Sequence, residues 1–132
     1  MGRSTSRPDG PEEAAMADER KHDLRDDRSR GLLQAYEDDG VAGRIAYFVL
    51  DAEPAALVAV HTVVEPQHEG RGIAGALVAE FYAMAAREGV PVVPLCPYAA
   101  AWAKRHPEQA PVAPAELVAA AEVQLRERPE RW

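Results

Sequence analysis

Cysteine is nearly missing from this chain: there is one, Cys96, in 132 residues. A lone thiol closes no internal disulfide, and with no export signal the expected compartment is a reducing cytoplasm. Long apolar runs are missing too. No stretch of about 18 apolar residues occurs, so no membrane span is expected. Met1 to Arg30 alternates charged and small polar residues and lacks the apolar segment of a secretory signal. The third absence is a basic surplus. Lys and Arg number 15 against 22 Asp and Glu, a formal net charge of −7. That balance argues against nucleic acid as the main partner, while leaving room for a local pocket that takes a small anion.

What is present reads as one small domain with a polar tail. Residues 1 to 21 carry Gly, Pro and mixed charge and little to bury, so they are expected to be disordered, and Met16 is an alternative start. The folded unit is expected over residues 22–113, with a helical extension over 114–132. Leu32 to Tyr36 reads as a first strand. Asp38-Asp39-Gly40 has hairpin chemistry, and Gly43 to Leu50 is a second strand rich in β-formers. After a turn at Asp51 to Pro54, Leu57 to Val64 is apolar on both alternating faces, as in a central strand covered on both sides. A helix follows from Gly70–Gly72 to about Glu88, with Ile73, Leu77 and Phe81 beside Ala74, Val78 and Tyr82 as its apolar face. Gly89 is its natural end. Pro91 to Leu95 is a short fourth strand, which makes a βαβ unit with two parallel strands. Helices over Tyr98 to Arg105 and Pro114 to Arg128 complete a small mixed α/β (α+β) fold.

The strongest signal lies between the third strand and the long helix. Gly70-Arg71-Gly72-Ile73-Ala74-Gly75 matches G-x-G-x-x-G literally. The dinucleotide reading fails on three counts. Glu65 to Glu69 intervene between strand and helix, the next parallel strand ends in Leu95-Cys96 with no acid for a ribose, and the chain is too short for a doubly wound sheet. Two accounts remain: a helix start that needs glycine for its own sake, or a backbone cradle whose N–H groups hold an anion such as a pyrophosphate.

Val64 to Val78 resembles the acetyl-CoA loop of the GNAT superfamily of N-acetyltransferases, whose pattern is Gln or Arg, two residues, Gly, one residue, then Gly or Ala. Further segments, His61-Thr62, Val92 to Tyr98 and Arg105 to Glu108, are similar to one compact branch of that superfamily, and the likeness runs from about His22 to Val112. The resemblance implies a small GNAT-like fold, acetyl-CoA as co-substrate, no metal, and transfer of acetyl to a primary amine on a protein lysine or small molecule. A module that holds acetyl-CoA without turnover is the alternative. The cofactor is expected along Thr62, Val63 and Val64, on the loop Glu69, Gly70, Arg71, Gly72, Ile73 and Ala74, and against Tyr98. In the register adopted here Glu69 takes the first loop position in place of Gln or Arg. Its carboxylate must then turn away from the pyrophosphate or pair, with Arg71 the neighbour for it.

Acetyl transfer needs a neutral amine, a held oxyanion and a proton for the departing thiolate. Cys96, expected at the same rim as the glycine loop, is a candidate acid or acyl carrier, with a buried small hydrophobe as the other account. His61 is a candidate general base, or a structural histidine within its strand. Lys104 and Arg105 are candidates for the phosphates, or a solvated helix face. His68 reads as solvated, and His106 as a turn-orienting group. The acceptor amine is not legible, no nucleic-acid or membrane partner is expected, and the expected state is a monomer or weak dimer.

Overall fold

The computed structural model describes residues 22–38, 40–53 and 55–128. The expected N-terminal tail and the start at Met16 lie outside these residues. So do Asp39 and Pro54 of the two expected turns and the last four residues of the C-terminal extension. The elements are β1 (Asp23–Asp27), β2 (Leu32–Glu37), β3 (Gly40–Leu50), β4 (Ala56–Val64), a 3-10 turn (Pro66–His68), α1 (Ile73–Glu88), β5 (Val92–Pro94), α2 (Pro97–Arg105) and α3 (Ala115–Glu127). They build one five-stranded sheet in the order β1-β2-β3-β4-β5. The first four strands are an antiparallel meander, and β5 returns parallel to β4 after α1. This is the mixed α/β architecture expected, and it is not doubly wound.

The sequence reading started the sheet at Leu32 and missed β1. Asp23-Leu24-Arg25-Asp26-Asp27 carries four charges and lacks the apolar alternation of a strand. Among the described residues it is the outer edge of the sheet, where Leu24 packs on the core and the charges suit an edge strand. Its turn is tied down from below. The buried Tyr47 hydroxyl donates to Asp26 at 2.6 Å and receives Arg28 Nε at 3.1 Å. Arg28 also pairs with Glu88 at the end of α1. Burial first, with the Asp26 carboxylate adding to it, holds the Tyr47 phenol well above its usual pKa, so it stays a donor.

Two cores sandwich the sheet. On one face Leu33, Ala35, Ile45, Tyr47, Leu57 and Ala59 meet Ile73, Leu77, Val78 and Phe81 of α1. Tyr47 and Phe81 meet edge to face at 5.1 Å. On the other face Phe48, Leu50, Val58, Val60 and Val93 meet Leu117 and Ala121 of α3. The terminal helix therefore packs back on the domain. It covers only part of its face: Ala56 to Val60 are buried, whereas His61 and Val63 are exposed. The expectation that β4 is covered on both sides along its whole length is thus corrected.

Gly43 sets how closely α1 approaches the sheet. A Cβ there would lie 3.0 Å from the Val63 carbonyl oxygen, 3.1 Å from Ile73 Cγ2 and 3.3 Å from Leu77 Cδ1. Gly43→Ala is expected to destabilise the domain by about 1–3 kcal/mol through overpacking. Thermal unfolding checks this, and an unchanged Tm would show that the helix start moves away at no cost.

Candidate active site

The site begins with a fault in β4. Ala46 pairs with His61, but Tyr47 pairs with Ala59, so Val60 is an extra residue in a β-bulge. A bulge bends its strand and increases the local twist. On the other side of β4 the parallel ladder stops at the same place. β5 pairs Leu57, Val58 and Ala59 with Val92, Val93 and Pro94, and then the Ala59 carbonyl accepts the N–H groups of both Leu95 and Cys96 at 3.0 Å. Among the described residues, β4 runs on from His61 to Val64 along β3 alone, and the edge that faced β5 is open.

That open edge leads into the glycine loop. The turn Pro66–His68 is closed by His68 N–H to the Glu65 carbonyl at 2.9 Å. Gly70 and Gly72 then sit at φ 84° and 78°, in the left-handed region that glycine reaches without strain. Gly72 is the residue before the first helical turn of α1. No side chain caps that end and no acidic residue lies in its first turn. Its leading N–H groups have no acceptor within the helix, and the helix dipole adds positive potential, so the position suits an anion. A cavity of about 350 Å³ opens there, lined by Thr62, Val64, His68, Glu69, Gly72 and Tyr98 among others. These features fit an extended ligand with an anionic end at α1 and a thin arm along the β4 edge, which is the shape of acetyl-CoA.

The left-handed glycines also correct the register of the loop pattern. Gly70 and Gly72 are its two small positions, which places Gln67, not Glu69, three residues ahead of Gly70 as the first. Ala74, which the earlier register used, is inside α1. The supposed departure from the pattern at Glu69 therefore disappears, although Glu69 still lines the cavity. Arg71 does not turn to Glu69. Its guanidinium lies 3.8 Å from Glu37 and donates to His68 Nδ1 at 3.3 Å. Glu37 in turn meets His22 at 3.5 Å. His68, expected to be solvated, is 5% exposed and belongs to the cavity wall. Sequence reasoning missed it because only tertiary packing shows that the 3-10 turn faces inward.

The remaining candidates separate by face. Alternation along β4 sends Thr62 and Val64 to the cavity, while His61 and Val63 point to the opposite, uncovered side. Tyr98, on the first turn of α2, reaches back over α1, its hydroxyl 3.7 Å from where a Gly75 Cβ would be. Cys96 does not open at the rim. It is 3% exposed, sits in the core, and its thiol donates to the Thr62 hydroxyl at 3.2 Å. Of that pair only Thr62 touches the cavity. Lys104 is not at this site either; it lines a separate cavity beyond α2. His106 stacks on Trp102 at 4.1 Å and donates from Nδ1 to the Trp102 carbonyl at 2.9 Å, the turn-orienting role expected of it.

Comparisons with known proteins bear on the family and the fold. The family profile described as GCN5-related N-acetyl-transferase matches residues 33–112. The chain belongs to that family. Among solved structures it is similar to a ribosomal-protein-alanine N-acetyltransferase from Brucella melitensis biovar Abortus 2308, with 22% identity, a TM-score of 0.51, and 63% of this chain and 62% of that one covered. At this identity the likeness shows the fold, and the GNAT-like chain spans less than two thirds of the Brucella protein. An aminoglycoside acetyltransferase from an uncultured soil metagenomic sample is 26% identical over 47% of this chain and 43% of that one, with a TM-score of 0.42. A search of curated proteins finds no match. Among the described residues of this GNAT family member, no helix is long and apolar enough to cross a membrane.

Gly72→Glu is expected to weaken coenzyme A binding at least about tenfold, because it brings like charge to the phosphate position. The left-handed φ of 78° adds strain, lowering stability by roughly 1–2 kcal/mol. Calorimetry alongside thermal unfolding separates the two effects. Full affinity in a folded variant would mean that the anion binds elsewhere.

Proposed function

We propose that this chain transfers an acetyl group from acetyl-CoA to a primary amine, and that the two reactants approach from opposite faces of the sheet. The observation that carries this reading is the open β4 edge past the Val60 bulge, which joins an anion cradle at its far end. The phosphates bind at the start of α1 and the pantetheine arm follows Thr62 to Val64. The thioester then lies in the gap where β4 and β5 part. His61, exposed on the other face one residue past the bulge, is placed to take a proton from an incoming amine.

In the reaction the amine nitrogen attacks the thioester carbonyl and a tetrahedral oxyanion forms. Collapse breaks the carbon–sulfur bond, and the nitrogen gives up a proton as the thiolate gains one. Thr62 and Tyr98 are the hydroxyl-bearing residues that line the cavity, and Thr62 is oriented by the Cys96 thiol behind it. In this reading Cys96 is a positioning residue. Its burial behind Thr62 speaks against an acyl carrier, which must meet the thioester itself. The acceptor is a primary amine, on a protein lysine or a small molecule, and the site of action is the cytoplasm. A non-catalytic acetyl-CoA module is the second reading.

Release of free thiol from acetyl-CoA, measured with and without a lysine peptide or a polyamine, decides between the two. Amine-dependent release is expected, and its absence with intact coenzyme A binding would establish the binding module. His61→Gln is expected to lower kcat about a hundredfold with the coenzyme A affinity retained. Mass spectrometry after incubation with acetyl-CoA alone is expected to show unmodified protein; an acetylated Cys96 would restore the carrier role.

A further inference from the structure

A second cavity, of about 470 Å³, lies on the far side of α2. Its walls come from β5, α2, the segment leading to α3, and α3 itself. Val93, Ala103, Ala110 and Val118 are among the apolar residues that line it. Its volume is that of a small-molecule site, which typically runs to about 300–1,000 Å³. Nothing in the acetyl-transfer reading uses it.

Two polar groups break the apolar lining. One is Lys104, exposed on the last turn of α2, the only side chain of the lining among the described residues that carries a full charge. The other is Tyr82. It is 5% exposed, stacks on Trp102 at 5.7 Å, and its hydroxyl has no hydrogen-bond partner among the described residues. A buried hydroxyl without a partner is unfavourable and rare in folded proteins. Burial pushes the Tyr82 phenol up to about 12, so at neutral pH it is a donor in search of an acceptor.

We propose that this cavity is a second ligand site that takes a small monocarboxylate with an apolar tail. The tail fills the apolar walls, and the carboxylate meets Lys104 at the rim and accepts from the Tyr82 hydroxyl. The chemistry selects this class. A wholly apolar ligand would leave Tyr82 unpaired. A phosphate or diphosphate would bring two or more charges to one lysine between apolar walls, at a heavy desolvation cost. Water would satisfy the hydroxyl and leave the apolar walls wetted.

The test uses the full chain with octanoate and 1-octanol as probes, read by calorimetry and by amide chemical shifts. Octanoate is expected to bind with one-to-one stoichiometry and at least about tenfold more tightly than octanol, since charge-assisted hydrogen bonds are the strong ones. Lys104→Gln, on an exposed side chain, should keep the fold and erase that preference. Tyr82→Phe should weaken octanoate several-fold. Ala103→Phe, which fills the cavity, should abolish octanoate binding and leave coenzyme A binding intact. Coenzyme A should not displace octanoate. Equal affinity for octanoate and octanol, a preference that survives Lys104→Gln, or displacement by coenzyme A would each overturn the proposal.

Discussion

One carbonyl group decides where this sheet opens. The Ala59 oxygen accepts from both Leu95 and Cys96, so the last backbone bond of the parallel pair is used twice at one point and β5 turns off into α2. At the same level, on the other side of β4, the Val60 bulge bends the strand. Together they split two strands that were parallel neighbours. The edge of β4 that would have been capped by β5 becomes a row of backbone donors and acceptors facing a cavity. A parallel pair that ran on would bury those groups and leave no slot for a pantetheine-like arm.

The glycine loop is useful only because it is held against this slot. Gly43 lets α1 start directly on the sheet, with Ile73 and Leu77 packed over the point where a side chain would sit. Arg71 joins Glu37 at the end of β2 to the buried His68 in the loop. Each of these polar contacts is weak where it meets solvent. Their effect is geometric: the loop is fastened on two sides while the start of α1 remains uncapped. A side-chain cap there would stabilise the helix and occupy the N–H groups that an anion needs.

Charge and cover divide the two faces of the sheet between the proposed reactants. The chain as a whole carries −7, which favours the approach of a cationic amine and opposes that of a polyanion. In the proposed function the anion is therefore recognised locally, by backbone N–H groups and a helix dipole that net charge does not cancel at contact distance. On the acceptor side the meander turns directly from β1 to β2 through Arg28 to Gly31, and α3 covers only the half of the sheet near Phe48 and Val58. His61 and Val63 are left exposed.

By itself the sequence determined the elements that local chemistry dictates. Glycines at positions 70, 72 and 89 bound a helix whose apolar rows are plain, and the βαβ unit follows from strand, helix and strand lengths. The loop pattern was legible for the same reason, since glycine is needed where the backbone is left-handed. Its register was legible too, since Gln67-His68-Glu69-Gly70-Arg71-Gly72 fits the pattern directly; the register begun at Glu69 also kept the spacing, and the left-handed Gly70 and Gly72 with Ala74 inside the helix decide between the two. Other features were settled by contacts between residues distant in the chain. The charged strand β1 exists because β2 offers it an edge. Cys96 lies behind Thr62, 34 residues away, and not at the rim, because the doubled bond at Ala59 turns the chain inward. His68 is buried because the loop folds back under Arg71. Lys104 faces a different cavity from Tyr98 because helical periodicity puts the two on different faces of α2. Periodicity can say that two residues are on different faces; only packing can say what each face meets.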